Sequence, residues 1–116
     1  MRGNAPLFLW IKKVKAMSAE HIDDITIAYE EDGTLLIEEL GKKILSKGLN
    51  TTILFRYREW DSNAQAYGPE KYSIRRYKKT AGIFRQQNKF NISSAKQARL
   101  IIEALSDWVA ESGEGD

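Results

Sequence analysis

The sequence predicts an α+β domain, an antiparallel four- to five-stranded meander sheet with one C-terminal helix packed on one face. Stretches rich in β-branched residues, which alternate apolar and polar side chains, recur between about residues 25 and 84. Turn signals separate these stretches, and the Asp32-Gly33 pair is the most typical hairpin signal among them. After residue 93 the apolar spacing changes to that of a helix.

The predicted strands span residues 25–29, 34–37, 51–60, 71–78 and 83–85. The segment 36–45 fits either type of structure. Leu36, Leu40 and Ile44 share a helical face, whereas Gly41 and the preceding hairpin signal favour a strand that bends or bulges at the glycine. We expect the strand.

The helix is predicted over residues 94–110. Ser94 is the expected N-cap and Gln97 completes a capping box. One stripe of the helix is apolar and comprises Ala98, Ile101, Ile102, Leu105, Trp108 and Val109. Because such a stripe is typical of a helix that covers a core, we expect Ile101, Ile102, Leu105 and Trp108 to be buried.

Length and composition indicate one soluble domain over residues 19–111, preceded by a flexible extension (1–18) and followed by an acidic flexible tail (112–116). Met17 resembles a second start. The apolar run 6–11 is far too short to span a bilayer. The chain has no cysteine, which suits a reducing compartment, so we expect a cytoplasmic protein without membrane contact.

Groups that support catalysis are scarce. His21, the only histidine, has no nucleophile pattern around it, and Glu30-Glu31-Asp32 lies at a predicted hairpin tip without the alternating pattern of a calcium loop. No glycine-rich phosphate loop occurs. We therefore expect no enzyme activity, no metal site and no cofactor.

Charge is unevenly distributed, although the net charge is only +2. Residues 17–40 carry acidic side chains and no Lys or Arg, whereas the bases concentrate between residues 56 and 89, among aromatic residues. The candidate nucleic-acid-binding residues are Arg56, Arg58, Trp60, Arg75, Arg76, Tyr77, Lys78, Lys79 and Arg85. Cations and rings on one surface favour a single-stranded nucleic acid, whose phosphates pair with the cations while its bases stack.

This interpretation depends on which face each strand presents. On a sheet, Arg56, Arg58 and Trp60 share one face. If Tyr72 and Ile74 lie under the helix, then Arg75, Tyr77 and Lys79 join the arginines on the open face. Two alternatives stay open. The face is an ordinary exposed sheet surface, or it belongs to a protein-interaction or dimerisation module.

A local resemblance points in the same direction. Residues 53–60 (ILFRYREW), a polar loop with Gly68-Pro69-Glu70-Lys71, and residues 90–94 (FNISS) resemble the transcriptional positive-cofactor family of single-stranded-DNA-binding coactivators. The resemblance implies a four-stranded antiparallel sheet followed by one helix, a homodimer, and contacts from Arg56, Arg58 and Trp60. The chain departs from the family where a further strand, 72–78, precedes the helix.

Overall fold

The computed structural model describes residues 18–113 as one α+β unit. The predicted N-terminal extension lies outside the described residues apart from Ser18, which belongs to a short strand. The acidic end of the predicted tail, residues 114–116, also lies outside them, while Ser112 and Gly113 end the helix.

The predicted meander is confirmed. The strands are β1 (Ser18–Ala19), β2 (Tyr29–Glu31), β3 (Thr34–Ser46), β4 (Asn50–Asp61), β5 (Ala66–Tyr67), β6 (Lys71–Thr80) and β7 (Ile83–Ile92), a 3-10 turn covers Ile22–Asp24, and the helix α1 is Ala95–Ser112. The sheet is antiparallel with the order β1-β7-β6-β4-β3-β2, and β5 pairs with the end of β4. Four long strands, β3, β4, β6 and β7, curve into a half-barrel.

Tight turns connect the hairpins where the sequence predicts them. Asp32 and Gly33 both have positive φ angles, 52° and 82°, as a two-residue hairpin requires. Ala81 and Gly82 repeat this geometry between β6 and β7. The register of β3 against β4 shifts between Glu39 and Gly41, so the segment 36–45 is a strand, as expected, with a bulge at Leu40 beside the glycine.

One face of the sheet, here called the inner face, forms the core. Thr51, Ile53, Phe55 and Tyr57 alternate along β4 and are all buried, while the residues between them are not. Buried side chains of neighbouring strands, Tyr77 and Phe84 among them, complete this layer. The alternation on β4 therefore separates a dry inner face from an outer face, as the sequence predicts for this strand.

The N-terminal segment 22–28, rather than the helix, closes the inner face. Ile25 and Ile27 belong to the core cluster, each 3% exposed. The ammonium of Lys42 on β3 donates hydrogen bonds to the carbonyls of Ile22 (2.9 Å) and Ile25 (2.6 Å). Glu39 accepts one from the backbone N–H of Ile27 at 3.2 Å. The predicted strand 25–29 is therefore mostly extended chain held by two charged side chains, and β2 begins only at Tyr29.

The helix begins as predicted, but its packing is not as expected. The backbone N–H of Gln97 donates to the Ser94 hydroxyl at 3.1 Å, and the Gln97 side chain accepts from the N–H of Ser93 instead of Ser94. No residue of α1 is buried, and its strand contacts are chiefly with β7. The expected burial of Ile101, Ile102, Leu105 and Trp108 is therefore wrong, because segment 22–28 already covers the core. No helix within residues 18–113 is both long and apolar enough to cross a membrane.

The last strand is longer than the sequence predicts. β7 continues from Ile83 to Ile92 and pairs along its length with β6, with a register shift between Arg76 and Tyr77. Its polar residues 86–89 do not alternate with apolar ones, so the pattern there gives no strand signal. The pairing with β6 therefore stabilises a strand that the local sequence does not favour.

We expect Phe55→Ala to lower the free energy of unfolding by about 3–5 kcal/mol, because it removes a fully buried ring from the inner face. Leu100→Ala is the control, since Leu100 on α1 is 57% exposed and its truncation should change stability by less than about 0.5 kcal/mol. Urea denaturation monitored by circular dichroism measures both. Equal midpoints for the two variants would contradict this assignment of the core.

A second expectation concerns Tyr77, which is 1% exposed and whose hydroxyl has no hydrogen-bond partner within residues 18–113. Burial raises the pKa of Tyr77 above its ordinary value, and the charge of Arg75 and the approach of its guanidinium to the hydroxyl, which falls short of a well-formed hydrogen bond, oppose this only in part. The stability that the neutral phenol contributes is therefore complete below about pH 10, the pKa of unfolded tyrosine, and is lost as the pH rises through the folded pKa.

Tyr77→Phe keeps the ring and removes the unpaired hydroxyl, so we expect it to raise stability at pH 7 by about 1 kcal/mol. We also expect a shallower loss of stability above pH 10. Thermal denaturation from pH 7 to 11 measures both effects. A large destabilisation by Tyr77→Phe at pH 7 would mean that the hydroxyl is bonded in solution.

Candidate nucleic-acid interface

The register divides the nine predicted binding residues between the two faces. On the outer face lie Arg56, Arg58, Trp60, Arg76, Lys78 and Arg85. On the inner face lie Arg75, Tyr77 and Lys79, because Arg75 is opposite Ile53 and Tyr77 is opposite Thr51. The expectation that these three residues share a face with Arg56 and Arg58 is therefore wrong. The register of β6 differs by one residue from the expected one, and such a shift moves every side chain of the strand to the other face.

The three inner-face residues have roles within the fold. Tyr77 fills the core and offers no ring surface to a ligand. Arg75 donates to the Ser73 hydroxyl at 3.1 Å and to the Gln86 side-chain oxygen at 3.1 Å. The Lys79 ammonium lies 5.3 Å from the centre of the Phe84 ring. These contacts give Arg75 and Lys79 roles within the fold that need no ligand.

The outer face carries an apolar row that crosses three strands. Leu54 on β4 is directly opposite Ile74 on β6, and Ile74 is opposite Phe90 on β7. Leu54 and Ile74 are partly exposed, and Phe90 is 55% exposed. Directly opposed side chains on one face are near neighbours, so the three form a continuous apolar strip with an accessible ring at one end.

A shallow depression lies beside this row. Tyr72 is opposite Arg56, and Arg56 is in turn opposite Gly41 on β3. A β-carbon on Gly41 would lie 3.5 Å from the side-chain Cβ and Nε of Arg56, an ordinary van der Waals distance, so the arginine side chain lies next to the glycine. Lys43, Leu54 and Tyr72 contribute to the lining of the depression. Cation, ring and apolar side chain thus meet at one place.

Three cations border the other side of the row. Arg76, Lys78 and Arg85 are exposed, and Lys78 is directly opposite Arg85. None of the three forms an ion pair within residues 18–113. Because like charges on opposed positions repel each other, this arrangement contributes nothing evident to the fold and is available to a polyanion.

Arg58 and Trp60 belong to a different cluster. The guanidinium of Arg58 pairs with Glu38 at 2.5 Å and lies 4.3 Å from the centre of the Tyr67 ring. Trp60 contacts Tyr67 edge-on at 5.1 Å, and the Tyr67 hydroxyl donates to the carbonyl of Leu35. These contacts stabilise the pairing of β5 with the end of β4. A phosphate would have to displace Glu38 to reach Arg58, whereas the pair Arg56–Glu70 is exposed and long, at 3.7 Å.

The candidate interface is therefore the outer basic face, which we define as Lys43, Leu54, Arg56, Tyr72, Ile74, Arg76, Lys78, Arg85 and Phe90. Sequence reasoning identified its arginines and Lys78 but missed Tyr72 and Phe90 as its exposed rings. Tyr72 was expected under the helix, and Phe90 falls beyond the predicted end of β7. Phe90 belongs to the segment 90–94 that resembles the positive-cofactor family, but the resemblance implies contacts only from Arg56, Arg58 and Trp60.

Within the part of the chain that the structure describes, no cluster of three or more His, Asp or Glu side chains could hold a metal ion. Three shallow depressions lined by described residues are open to solvent, and none of the three combines a hydroxyl side chain with a histidine.

Comparison with known proteins adds no family to this description. No family model matches the chain, and neither the curated proteins nor the solved structures include a significant match. The resemblance to the transcriptional positive-cofactor family stays a prediction from local motifs.

Proposed function

We propose that the protein binds single-stranded nucleic acid, DNA or RNA, on the outer basic face and has no catalytic role. One observation carries this proposal: three exposed cations without ion-pair partners in residues 18–113 lie beside two accessible rings on the same side of one sheet. Arg76, Lys78 and Arg85 supply the charge, and Tyr72 and Phe90 supply the rings.

The cations suit phosphates in particular. A nucleic-acid backbone offers a regular line of negative charge, and each phosphate that a cation neutralises releases counterions. Along one strand, side chains on the same face repeat about every 7 Å, so Arg76 and Lys78 are spaced as successive contacts along an extended backbone. Arg56 lies on the neighbouring strand, two residues beyond Leu54.

The rings favour unpaired bases over a duplex. Base stacking on an aromatic side chain contributes about 1–3 kcal/mol per base and needs a base whose face is free. Tyr72 is half-buried and Phe90 is exposed, so each presents ring surface to the outside. A duplex, whose bases are already stacked, would be held by charge alone.

Removing cations from this face should weaken the salt dependence of binding. We expect the double variant Arg76→Ala/Lys78→Ala to reduce the slope of log affinity against log salt by about 1.4, because about 0.7 counterion is released per phosphate neutralised on a single strand. Fluorescence anisotropy with a labelled oligothymidine at several salt concentrations measures the slope.

The matched control is Lys96→Ala/Arg99→Ala, which removes the same charge from exposed positions on α1. We expect it to leave the slope unchanged. Equal effects of the two double variants would indicate a response to net charge only, and absence of binding at low salt would refute the proposed function.

Removing a ring should weaken single-strand binding selectively. We expect Phe90→Ala to cost about 1–3 kcal/mol of affinity for a single strand and to leave the affinity for a duplex of equal length unchanged. Leu100→Ala is the control, since Leu100 is 57% exposed on α1 and does not belong to the outer basic face. A competition assay with both forms of the nucleic acid measures the preference. Parallel losses for single strand and duplex would exclude stacking on Phe90.

A further inference from the structure

A β-bulge in β7 places Asn88 and Phe90 on the outer face. Arg76 of β6 pairs with Asn88 and the next residue of β6 pairs with Gln86, so Gln87 has no partner and is the extra residue of the bulge. In a regular strand, residues two apart share a face, and Asn88 and Phe90 would then lie on the inner face with Gln86. The bulge shifts this alternation by one residue. It therefore moves a side-chain amide and an accessible ring to the side of the sheet that carries the cations.

Asn88 lies between the residues that would contact the phosphate and the base of one nucleotide. It is directly opposite Arg76, and Phe90 is two residues further along the same face of β7. Opposed side chains have their β-carbons about 5 Å apart, and residues two apart along a strand are about 7 Å apart. A nucleotide whose phosphate contacts Arg76 and whose base stacks on Phe90 would therefore bring the edge of that base to the Asn88 amide.

The side-chain amide of Asn88 makes no contribution to the described fold. The residue is exposed, and its side chain forms no hydrogen bond within residues 18–113. The amide of Asn91, in contrast, accepts a hydrogen bond from the Ser73 hydroxyl at 2.7 Å. Asparagine is also depleted from strands, so strand stability does not explain why it stands at position 88. An amide presents a donor beside an acceptor, which suits the edge of a base, whereas a phosphate offers acceptors only.

We propose that Asn88 selects adenine as the base that stacks on Phe90. This inference rests on the proposed function and names the base that the outer basic face prefers. An asparagine side chain fits adenine through two hydrogen bonds, one donated to the ring nitrogen N7 and one accepted from the N6 amino group.

The other bases fit this position less well. On the corresponding edge, guanine presents two acceptors, and thymine presents one acceptor and a methyl group, so neither can donate to the amide oxygen there. The surface below the base also favours a purine over a pyrimidine. Ile74 is directly opposite Phe90, so the apolar surface is wider than one ring and can support two fused rings.

The test compares single strands of equal length that contain only adenine or only thymine, by fluorescence anisotropy with the full chain. We expect the adenine strand to bind about 5- to 150-fold more tightly, which is the discrimination typical of one bidentate contact to a base. A third strand contains 7-deazaadenine, which keeps the fused rings and the amino group but has a C–H group in place of N7. It should bind about 2- to 12-fold more weakly than the adenine strand, because one hydrogen bond is lost.

Asn88→Ala separates the amide from the charge and the rings of the same face. We expect this variant to bind the adenine and 7-deazaadenine strands equally and to keep the native affinity for the thymine strand. Asn63→Ala is the matched control, since it removes an exposed amide from the turn between β4 and β5 and should retain the native preference. Circular dichroism of both variants checks that the fold is intact.

The outcomes distinguish this inference from the proposed function. If no strand binds at low salt, the proposed function fails, and this inference fails with it. If the adenine and thymine strands bind equally, or the 7-deazaadenine strand binds as tightly as the adenine strand, the role of Asn88 is overturned while the proposed function stands. A preference for adenine that survives Asn88→Ala would assign the selection to another residue and would also overturn the inference.

Discussion

The arrangement of this protein depends on how its inner face is closed. Lys42 and Glu39, two charged residues of β3, hold the segment 22–28 by hydrogen bonds to its backbone, and this brings Ile25 and Ile27 onto the core. A long lysine side chain suits this task, because its methylene groups cover apolar surface while its ammonium reaches three carbonyls. The helix is then not needed as a cover, and both α1 and the outer face remain accessible.

The outer basic face and the helix are two separate accessible surfaces. The outer basic face offers charge and rings, which suit a flexible polyanion. The helix exposes four large apolar side chains of its stripe, namely Ile102, Leu105, Trp108 and Val109.

Much of the fold could be predicted from local pattern. Asp32-Gly33, the alternation on β4 and the Ser94 cap each act through neighbouring residues, and the structure contains all three. The face that each residue of β6 presents could not be predicted. The pattern allows either Tyr72 and Ile74, or Ser73 and Tyr77, to lie on the inner face. The choice is made by the pairing of β6 with β4, which follows a nine-residue connection containing β5. The exposure of the helix could not be predicted either, because an apolar stripe looks the same in the sequence whether it packs on its own sheet or on another chain.

The central claim, that ligand binds the outer face and leaves the inner face untouched, is tested most directly by aromatic ring resonances. We would titrate the full chain with an oligothymidine and follow the ring signals of four residues by NMR. The account predicts shifts for Tyr72 and Phe90, which lie on the outer face, and none for Tyr77 and Phe84, which are buried in the core. Shifts confined to Tyr77 and Phe84, or binding without any shift of Tyr72 and Phe90, would contradict it.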